Sequence, residues 1–368
     1  MKTETFKLEI ITPCFCGGAQ PEKKAEIRAS SIRGMLRWWF RTLGGFKSLT
    51  TQGMSVHEQE KTIFGSTAGG EGRAGKLIVR VQPFQQPLYS EDVKDAEAMQ
   101  ASVQSNKGYL LFPLRSNPKK DSYAGKALFD RGCFPHFGIQ IVWLGNASLF
   151  KDIKSLVGVF GHLGSLGFRQ RRAMGALAFS QSSPGLKSCL ECFNTARQLS
   201  LKSLAASDAE SAINELGAWL KSWRSHGRTK DHSSARPHEP PNNPGFDPYA
   251  KNDHDRGVDC LARKGTNSDK TYRPSLGLPI IQSFKGGKVN WEWDFNREKN
   301  KPEGRFASPV LLRPHRDSQG KWHALVIFVD VHKWPDGKKV FLNKEQREVS
   351  LDLYEAMKED KRLKNFPV

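Results

Sequence analysis

The sequence predicts an α+β protein with antiparallel sheets, built as two domains. Apart from one additional predicted strand, strand and helix patterns in the first half of the chain follow the order β-α-β-β-α-β, which is the ferredoxin-like arrangement. A chain of 368 residues is too long for one ordinary small domain and suits two. Hydrophobic residues make up 38% of it, a normal share for a globular protein.

The first domain is expected at residues 1–185, and its opening elements have the clearest patterns. Residues 5–12 alternate, so that Phe6, Leu8 and Ile10 share one face of a strand. Residues 31–43 have helical spacing, with Ser30 or Ser31 as the N-cap and two glycines after the end. The other predicted elements are strands at Leu77–Val81, Tyr109–Leu114 and Phe137–Leu144, a helix at Ser148–Phe160 and a strand at Ala176–Phe179.

The second domain is expected at residues 186–368, with a flexible insertion at about 225–274. The insertion is rich in Pro, Asn, Asp, His, Arg and Lys and nearly empty of aliphatic residues, a composition that predicts a long loop or a disordered segment. The remaining predicted elements are a helix at Cys189–Trp223, strands at Leu276–Phe284, Val289–Phe295, Phe306–Leu312 and Trp322–Val331, and a charged helix at Asn343–Leu363.

The strong positive charge indicates a polyanionic partner. Lys and Arg number 57 against 38 Asp and Glu, a formal net charge of +19. Acidic residues serve solubility better than basic ones, so nucleic acid is the favoured explanation, with membrane lipid as the alternative. The N-terminus shows no signal-peptide pattern and no apolar run exceeds the length of a strand. We therefore expect a cytoplasmic protein with no membrane association.

The cysteines do not predict a disulfide framework or a metal site. The chain has six of them, which is the number expected of reduced structural thiols in a chain of this length. Cys189 and Cys192 form a single C-x-x-C with no second pair nearby, and the spacing of Cys14 and Cys16 is too short for a zinc knuckle. No metal or other cofactor is expected.

The helix at residues 31–43 carries the most informative pattern. Ile32, Leu36, Trp39 and Leu43 have the spacing of one buried face. Arginines recur at every fourth position, and no acidic residue of the helix stands four positions away to pair with them. An unpaired stripe of guanidinium groups suits a ladder of phosphates; the alternative is a solvated basic face. The candidate RNA-binding residues of this helix are Arg33, Arg37, Trp38 and Arg41.

A glycine- and arginine-rich segment, Gly161–Gly175, is the second informative pattern. Glycines free a backbone to fold tightly and to present N–H groups to an anion, while Phe168 offers a stacking face. Neither a Walker A loop nor a Rossmann fingerprint is present, and the alternative is a glycine turn with solvated arginines. The candidate RNA-binding residues here are Gly161, Gly164, Gly167, Arg169, Arg171 and Arg172.

These motifs resemble the first Cmr subunits of the RAMP superfamily. The resemblance begins with Thr12–Ala19, which contains a double glycine. It continues with Ser30–Trp39, which holds the serine-isoleucine-arginine-glycine run and the start of the aromatic-arginine helix. The segment Gly161–Gly175 resembles the glycine-rich loop of the superfamily. Leu276–Ile280, Arg305–Pro309 and Leu312–Pro314 resemble the C-terminal half. Residues 225–274 match nothing in the family pattern.

The resemblance implies two ferredoxin-like RAMP (RRM-like) domains and a non-catalytic, RNA-binding subunit of a type III-B CRISPR (Cmr) effector complex. It implies contacts with single-stranded RNA, namely the 3′ region of the CRISPR RNA and the target RNA, and with other Cmr subunits, especially the sixth. In that interpretation the arginines of the helix hold phosphates and the glycine-rich loop cradles the RNA backbone.

Two other classes of function are weighed against this one. The first is a metal-independent CRISPR RNA-processing endoribonuclease, since some RAMP relatives process such RNA; His162 is then the candidate base, with no second proton-transfer group evident. The second is a general basic protein that binds DNA or an anionic membrane. No helix-turn-helix, RRM aromatic motif or basic lipid-facing helix supports that class.

Overall fold

The computed structural model describes the whole chain apart from residues 68–71, 85–87, 92, 95–105, 112–125, 131–134, 182, 225–248, 263–269, 279, 285, 297–300, 304 and 344. The chain divides into two compact units. Unit 1 comprises Met1–Leu216, Leu312–Ile327 and Asn365–Val368, and unit 2 comprises Gly217–Leu311 and Phe328–Lys364.

Helices and strands are interleaved along the described chain. The helices are α1 (Ala29–Thr42), α2 (Lys47–Thr50), α3 (Val56–Phe64), α4 (Asn106–Leu111), α5 (Phe150–Leu163), α6 (Leu186–Leu190), α7 (Ala209–Arg224), α8 (Lys251–Leu261) and α9 (Asp352–Lys358). The strands are β1 (Lys2–Ile10), β2 (Ala25–Glu26), β3 (Leu77–Phe84), β4 (Tyr89–Ser90), β5 (Val93–Lys94), β6 (Lys126–Ala127), β7 (His136–Trp143), β8 (Leu177–Phe179), β9 (Leu199–Ala205), β10 (Lys270–Thr271), β11 (Ile280–Phe284), β12 (Gly287–Glu292), β13 (Asp294–Asn296), β14 (Lys301–Glu303), β15 (Val310–Arg316), β16 (Trp322–Val329), β17 (Lys339–Leu342), β18 (Glu345–Val349) and β19 (Lys364–Asn365).

The first four-stranded sheet is antiparallel and positions α1 and α5. Its strand order is β3-β7-β1-β8, with α1 between β1 and β3 in the chain and α5 between β7 and β8, as in a ferredoxin-like fold. Phe6 of β1 lies opposite Ile139 of β7. Phe6, Leu8 and Ile10 are all buried, so the predicted face of this strand is confirmed, and so is the α+β class.

A second four-stranded sheet repeats the order of the first. It runs β15-β16-β9-β19, with α7 following β9 and α9 preceding β19 in the chain. Unit 2 holds a five-stranded sheet of order β10-β18-β17-β12-β11, in which β10 and β18 are parallel. Its core consists of buried apolar side chains, namely Leu278, Val289, Trp291, Trp334, Val340 and Leu342.

Several local elements differ from the sequence prediction. The segment predicted as a strand from Tyr109 begins as helix α4, where Leu110 and Leu111 are buried; residues 112–114 lie outside the described chain. The N-cap of α1 is Arg28, whose side chain makes no capping hydrogen bond, so neither Ser30 nor Ser31 caps the helix. Strand β18 lies within the predicted C-terminal helix, which is reduced to α9.

Part of the predicted flexible insertion is helical. Residues 225–248 and 263–269 lie outside the described chain, but α8 forms between them. Its Asp253 is fully buried and accepts hydrogen bonds from Thr271 Oγ1 at 2.8 Å and from the backbone N–H of Arg273 at 2.6 Å. These partners lie about twenty positions away and satisfy the buried carboxylate, which composition does not reveal.

Candidate nucleic-acid interface

Helix α1 has a buried face and a polar face. Ile32, Leu36, Trp39 and Leu43 are each at most 1% exposed, so the predicted apolar face is confirmed. The other face carries Arg33, Arg37 and Trp38, which are half-buried, and Arg41, which is exposed. Gly34 lies on this face too, and a side chain there would meet no atom within 4 Å. A ligand can therefore approach the backbone of α1 closely at Gly34.

The arginines of α1 have partners on α3, which corrects the expectation of an unpaired stripe. Arg37 Nε donates a short hydrogen bond to Glu60 Oε1, and Arg41 Nη1 lies 3.8 Å from the same oxygen. Arg33 donates to the carbonyl oxygen of Phe64 at 2.6 Å. Glu60 is buried, so one carboxylate faces two guanidinium groups and the face keeps a positive surplus. A single buried acid thus orients the arginines without neutralising them.

Helix α3 is a well-defined support for these arginines. Ser55 and Glu58 form a capping box at its N-terminus, in which the serine hydroxyl accepts from the backbone N–H of Glu58 at 3.3 Å. The hydrogen bonds from Ser55 lower the pKa of the Glu58 carboxyl. Gln59, fully buried, accepts from the backbone N–H of Phe46 at 2.9 Å. Capping and the buried glutamine hold α3, and with it Glu60, against the end of α1.

A cation–π contact brings the two predicted RNA-binding segments together. The Cζ atom of Arg171 lies 5.1 Å from the centroid of the Trp38 ring, within the range of a favourable contact. Trp38 in turn meets Trp39 edge to face, with centroids 4.9 Å apart. Burial lowers the pKa of the Arg171 guanidinium. Phe168, three residues earlier, is 47% exposed. The α1 face therefore combines arginines and an indole, and an exposed phenyl ring lies three positions from Arg171 in the chain; arginines and aromatic rings are the groups that bind single strands of nucleic acid.

Two glycines of the segment 161–175 use their N–H groups within the protein, so these two do not contribute to an N–H cradle. The backbone N–H of Gly164 donates to Phe160 and that of Gly175 to Pro13, at 2.8 and 2.9 Å. Gly167 has a φ of +82°, and a Cβ there would lie 2.7 Å from the carbonyl oxygen of Phe15. These N–H groups satisfy the protein itself, so the anion-binding chemistry of this region rests on side chains.

Two of the three arginines in this segment point to backbone carbonyl groups. Arg169, at a φ of +63°, donates through Nε to the carbonyl oxygen of Leu110 at 2.7 Å. Arg172 is buried and donates to the carbonyl oxygen of Arg171 at 3.0 Å. The structure thus brings Arg171 to the α1 face and directs the other two into the fold.

Arg313, which belongs to the family motif Leu312–Pro314, is a structural arginine whose partners the sequence pattern did not reveal. It is 1% exposed, and its Nε donates to the carbonyl oxygen of Gly164 at 2.9 Å. Its Nη2 donates to the carbonyl oxygens of Gly161, at 3.2 Å, and Leu177. The carbonyls of Gly161 and Gly164 stand at the C-terminus of α5, where a cation is favoured. Burial lowers the pKa of Arg313 to about 9. Arg313 therefore holds the base of the glycine-rich segment.

His162 is a half-buried, hydrogen-bonded side chain. Its Nε2 lies 2.7 Å from the carbonyl oxygen of Pro184, and its ring packs against Phe179. Burial lowers its pKa, and the nearby charge of Arg313 adds to that effect. The ring of His315 lies 6.1 Å away, a neighbour 153 positions distant that the sequence did not reveal.

The described cysteines and acids form no evident metal centre. Within the described ranges, no three His, Cys, Asp or Glu side chains are grouped so as to hold a metal ion. Cys189 and Cys192 are both thiols, and burial raises their pKa values to about 11 and about 12. Cys133, His232 and His238 lie outside the described residues. No helix among the described residues is long and apolar enough to cross a membrane.

Comparison with known proteins connects this surface with one superfamily. A profile of the RAMP superfamily matches residues 7–178, a range that includes α1 and the glycine-rich segment. The Cmr subunit Cmr1-2 of a CRISPR system in Pyrococcus furiosus is 31% identical over 196 residues, which cover 47% of this chain and 92% of the relative. Subunit Cmr1-1 of the same organism is 28% identical over 189 residues, or 50% of this chain and 49% of the relative. The match thus spans about half the length of Cmr1-1.

The fold is also similar to a solved structure. The crystal structure of Cmr1 from Pyrococcus furiosus, in its apo form, matches with a TM-score of 0.51 at 16% identity, covering 92% of this chain and 89% of the other. At that identity the likeness concerns the fold alone.

Proposed function

This chain belongs to the Cmr1 family of the RAMP superfamily, and we propose that it is an RNA-binding subunit of a type III-B CRISPR (Cmr) effector complex. It contacts single-stranded RNA through the polar face of α1 together with Arg171. The contact between Arg171 and Trp38, at 5.1 Å, is the observation that carries the proposal. It joins the two segments of basic and aromatic residues into one surface on which phosphates and bases can both be held.

The finer assignment follows the resemblance of the sequence motifs to that family. We propose that the RNA is the 3′ region of the CRISPR RNA with the target RNA beside it, and that other Cmr subunits, the sixth above all, are neighbours. Two RAMP domains, 1–185 and 186–368, complete this proposal. It is supported by strand order, because the first four-stranded sheet ends at Phe179 and the second begins at Leu199.

The test is RNA binding by the full chain, measured by fluorescence anisotropy over a range of salt concentration. Because the contacts are largely to phosphates, affinity should fall steeply with salt, by about 0.7 in log K per log unit of salt for each neutralised phosphate. Arg171→Gln should weaken binding several-fold, whereas Arg305→Gln, an exposed arginine of unit 2, should not. An affinity that is insensitive to salt, or equal losses in both variants, contradicts the proposed surface.

A ribonuclease is the second candidate function, and the proximity of His162 and His315 is the observation that favours it. Transfer from a 2′-hydroxyl needs a base and an acid around one phosphate. Burial lowers the pKa of both histidines, so both are neutral at pH 7 and neither is a good proton donor. We therefore propose a non-catalytic subunit. RNA incubated without metal should remain intact, and site-specific cleavage that His162→Ala abolishes while binding persists would establish the nuclease instead.

A further inference from the structure

A polar cavity of about 310 Å³ lies in unit 1 beside the C-terminus of α5. One wall comes from the end of α5 and from the residues that follow β8, and the other from the end of β15 and the turn after it. Its volume is at the low end of ligand pockets, which span roughly 300–1,000 Å³, and so suits one small group. None of the residues predicted from the sequence to bind RNA lines it except Gly161.

Gly161 is required by the shape of this cavity. A Cβ at that position would lie 2.4 Å from the ring of Phe179, so only glycine lets this ring lie against the end of α5. The ring of Phe179 packs against His162 with centroids 5.0 Å apart and is half-buried. The cavity therefore has an aromatic group in its wall.

The charged groups of the cavity wall are already paired within the protein. Arg316 forms an ion pair with Glu9, and Asp317 forms one with His323 at 3.2 Å. Arg313, behind the wall, donates to carbonyl oxygens and stands 3.0 Å from Nδ1 of His315. The wall is thus poorly suited to phosphate, which calls for uncommitted cations.

The groups that remain for a ligand are neutral. The wall includes the hydroxyls of Ser180, Ser183 and Ser318 and the amide of Gln181. Nε2 of His162 is held by Pro184 and Nδ1 of His315 by Arg313, so the second ring nitrogen of each is the one available in the described structure. Burial keeps both rings uncharged. Neutral donors and acceptors beside an aromatic ring match the edge and the face of a nucleobase.

We propose that this cavity receives one unstacked base of the bound single-stranded RNA. The proposal rests on the RNA-binding function proposed above, because the segment that begins at Gly161 also carries Arg171 to the α1 face. Arg313 fixes the start of this segment at the cavity, since it donates to the carbonyl oxygens of Gly161 and Gly164. Phosphate contacts on α1 would supply affinity, and the cavity would add a modest preference among bases.

The test compares affinities of the full chain for four homopolymeric RNA oligonucleotides, of A, C, G and U. The preferred homopolymer should bind about three- to tenfold more tightly than the weakest, the effect of one neutral hydrogen bond. Ser183→Trp and Ser318→Trp fill the cavity from opposite walls. Each should lower the affinity for the preferred homopolymer by that factor and leave the affinity for the weakest one unchanged. Ser148→Trp, at an exposed position outside the cavity, is the matched control.

A second arm identifies the source of the base. The four nucleoside 5′-monophosphates, added to millimolar concentration, should not bind on their own. If they bind and Ser318→Trp abolishes that binding while the homopolymer ratio stays the same, the cavity serves a free nucleotide and the proposal is wrong. An unchanged ratio in both tryptophan variants without nucleotide binding also overturns it, while salt-dependent RNA binding then still supports the proposed function. If the wild-type chain binds no homopolymer, the proposed function itself fails.

Discussion

Helix α1 and the region around the glycine-rich segment use arginine in opposite ways. On α1, Arg37 and Arg41 share the carboxylate of Glu60 and keep part of their surface exposed. Around the segment 161–175, Arg172 and Arg313 are buried and donate to backbone carbonyl oxygens. One carboxylate shared by two guanidinium groups leaves some of their N–H donors available to an external anion, whereas backbone carbonyl groups use up the donors of a buried arginine. The same residue type therefore builds a binding surface in one region and a scaffold in the other.

The largest expected effect separates the two faces of α1. Trp39 is 1% exposed, so Trp39→Ala should reduce the free energy of unfolding by about 3–5 kcal/mol, as large aromatic truncations do. Trp38→Ala, at the half-buried position, should reduce the free energy of unfolding by less than half of that amount, and it should weaken RNA binding. Urea unfolding and anisotropy measure the two effects.

Trp39→Phe is the control for this comparison. The indole N–H of Trp39 is buried and finds no acceptor among the described residues, so replacing the indole by a phenyl ring should cost much less than truncation. If Trp38→Ala destabilises the protein as much as Trp39→Ala, the division of α1 into core and binding faces is incorrect.

Arg313 provides the next test of the scaffold role. Arg313→Met keeps the apolar length of the side chain but leaves the carbonyl oxygens of Gly161, Gly164 and Leu177 without this donor. Since each buried unsatisfied polar group costs about 1–3 kcal/mol and neighbouring groups relax together, we expect a loss of about 2–4 kcal/mol in urea unfolding. Arg305→Met, at an exposed position, should change stability by less than about 0.5 kcal/mol. Equal effects would remove the distinction between buried and exposed arginines.

Half-buried His162 and buried His315 predict how the free energy of unfolding depends on pH. Burial lowers the folded-state pKa of both histidines, and the nearby charge of Arg313 lowers both pKa values further. The unfolded chain therefore binds more protons than the folded chain once the pH falls below the ordinary histidine pKa of about 6.5. Their contribution to stability is fully present above that value and is lost progressively as the pH falls toward the lower folded values.

Urea unfolding at pH 7, 6 and 5 measures this loss. The double variant His162→Gln, His315→Gln should flatten the profile between pH 7 and 5, whereas His57→Gln, at an exposed position, should leave it unchanged. A wild-type profile that rises toward pH 5 contradicts the buried, neutral state of both rings.

The smallest expected effect concerns a single exposed arginine of α1. Arg41→Gln removes the outermost guanidinium of the face and leaves Arg37 as the partner of Glu60. The slope of log K against log salt for single-stranded RNA should become shallower by about 0.7, the contribution of one phosphate. Stability should hardly change. An unaltered slope would confine the interface to the residues nearer Arg171.

The sequence alone determined the local elements whose pattern is complete within a few turns. Spacing along residues 31–43 placed Ile32, Leu36 and Trp39 in the core, since helical periodicity brings such positions to one side whatever they pack against. The alternation of β1 and the β-α-β-β-α-β order followed from the same kind of local information. The family resemblance also rests on these contiguous motifs.

Only the tertiary structure decided which groups meet across the chain. Glu60 reaches Arg37 from 23 positions away, Arg313 reaches Gly164 from 149 positions away, and His315 comes beside His162. Such pairings depend on how sheets and helices pack, because a buried charge takes whichever partner the fold brings within hydrogen-bonding distance. The same reason explains α8, which composition alone predicted to be disordered. Its Asp253 is stabilised by hydrogen bonds from a distant strand and turn, and a pattern along the chain contains no information about them.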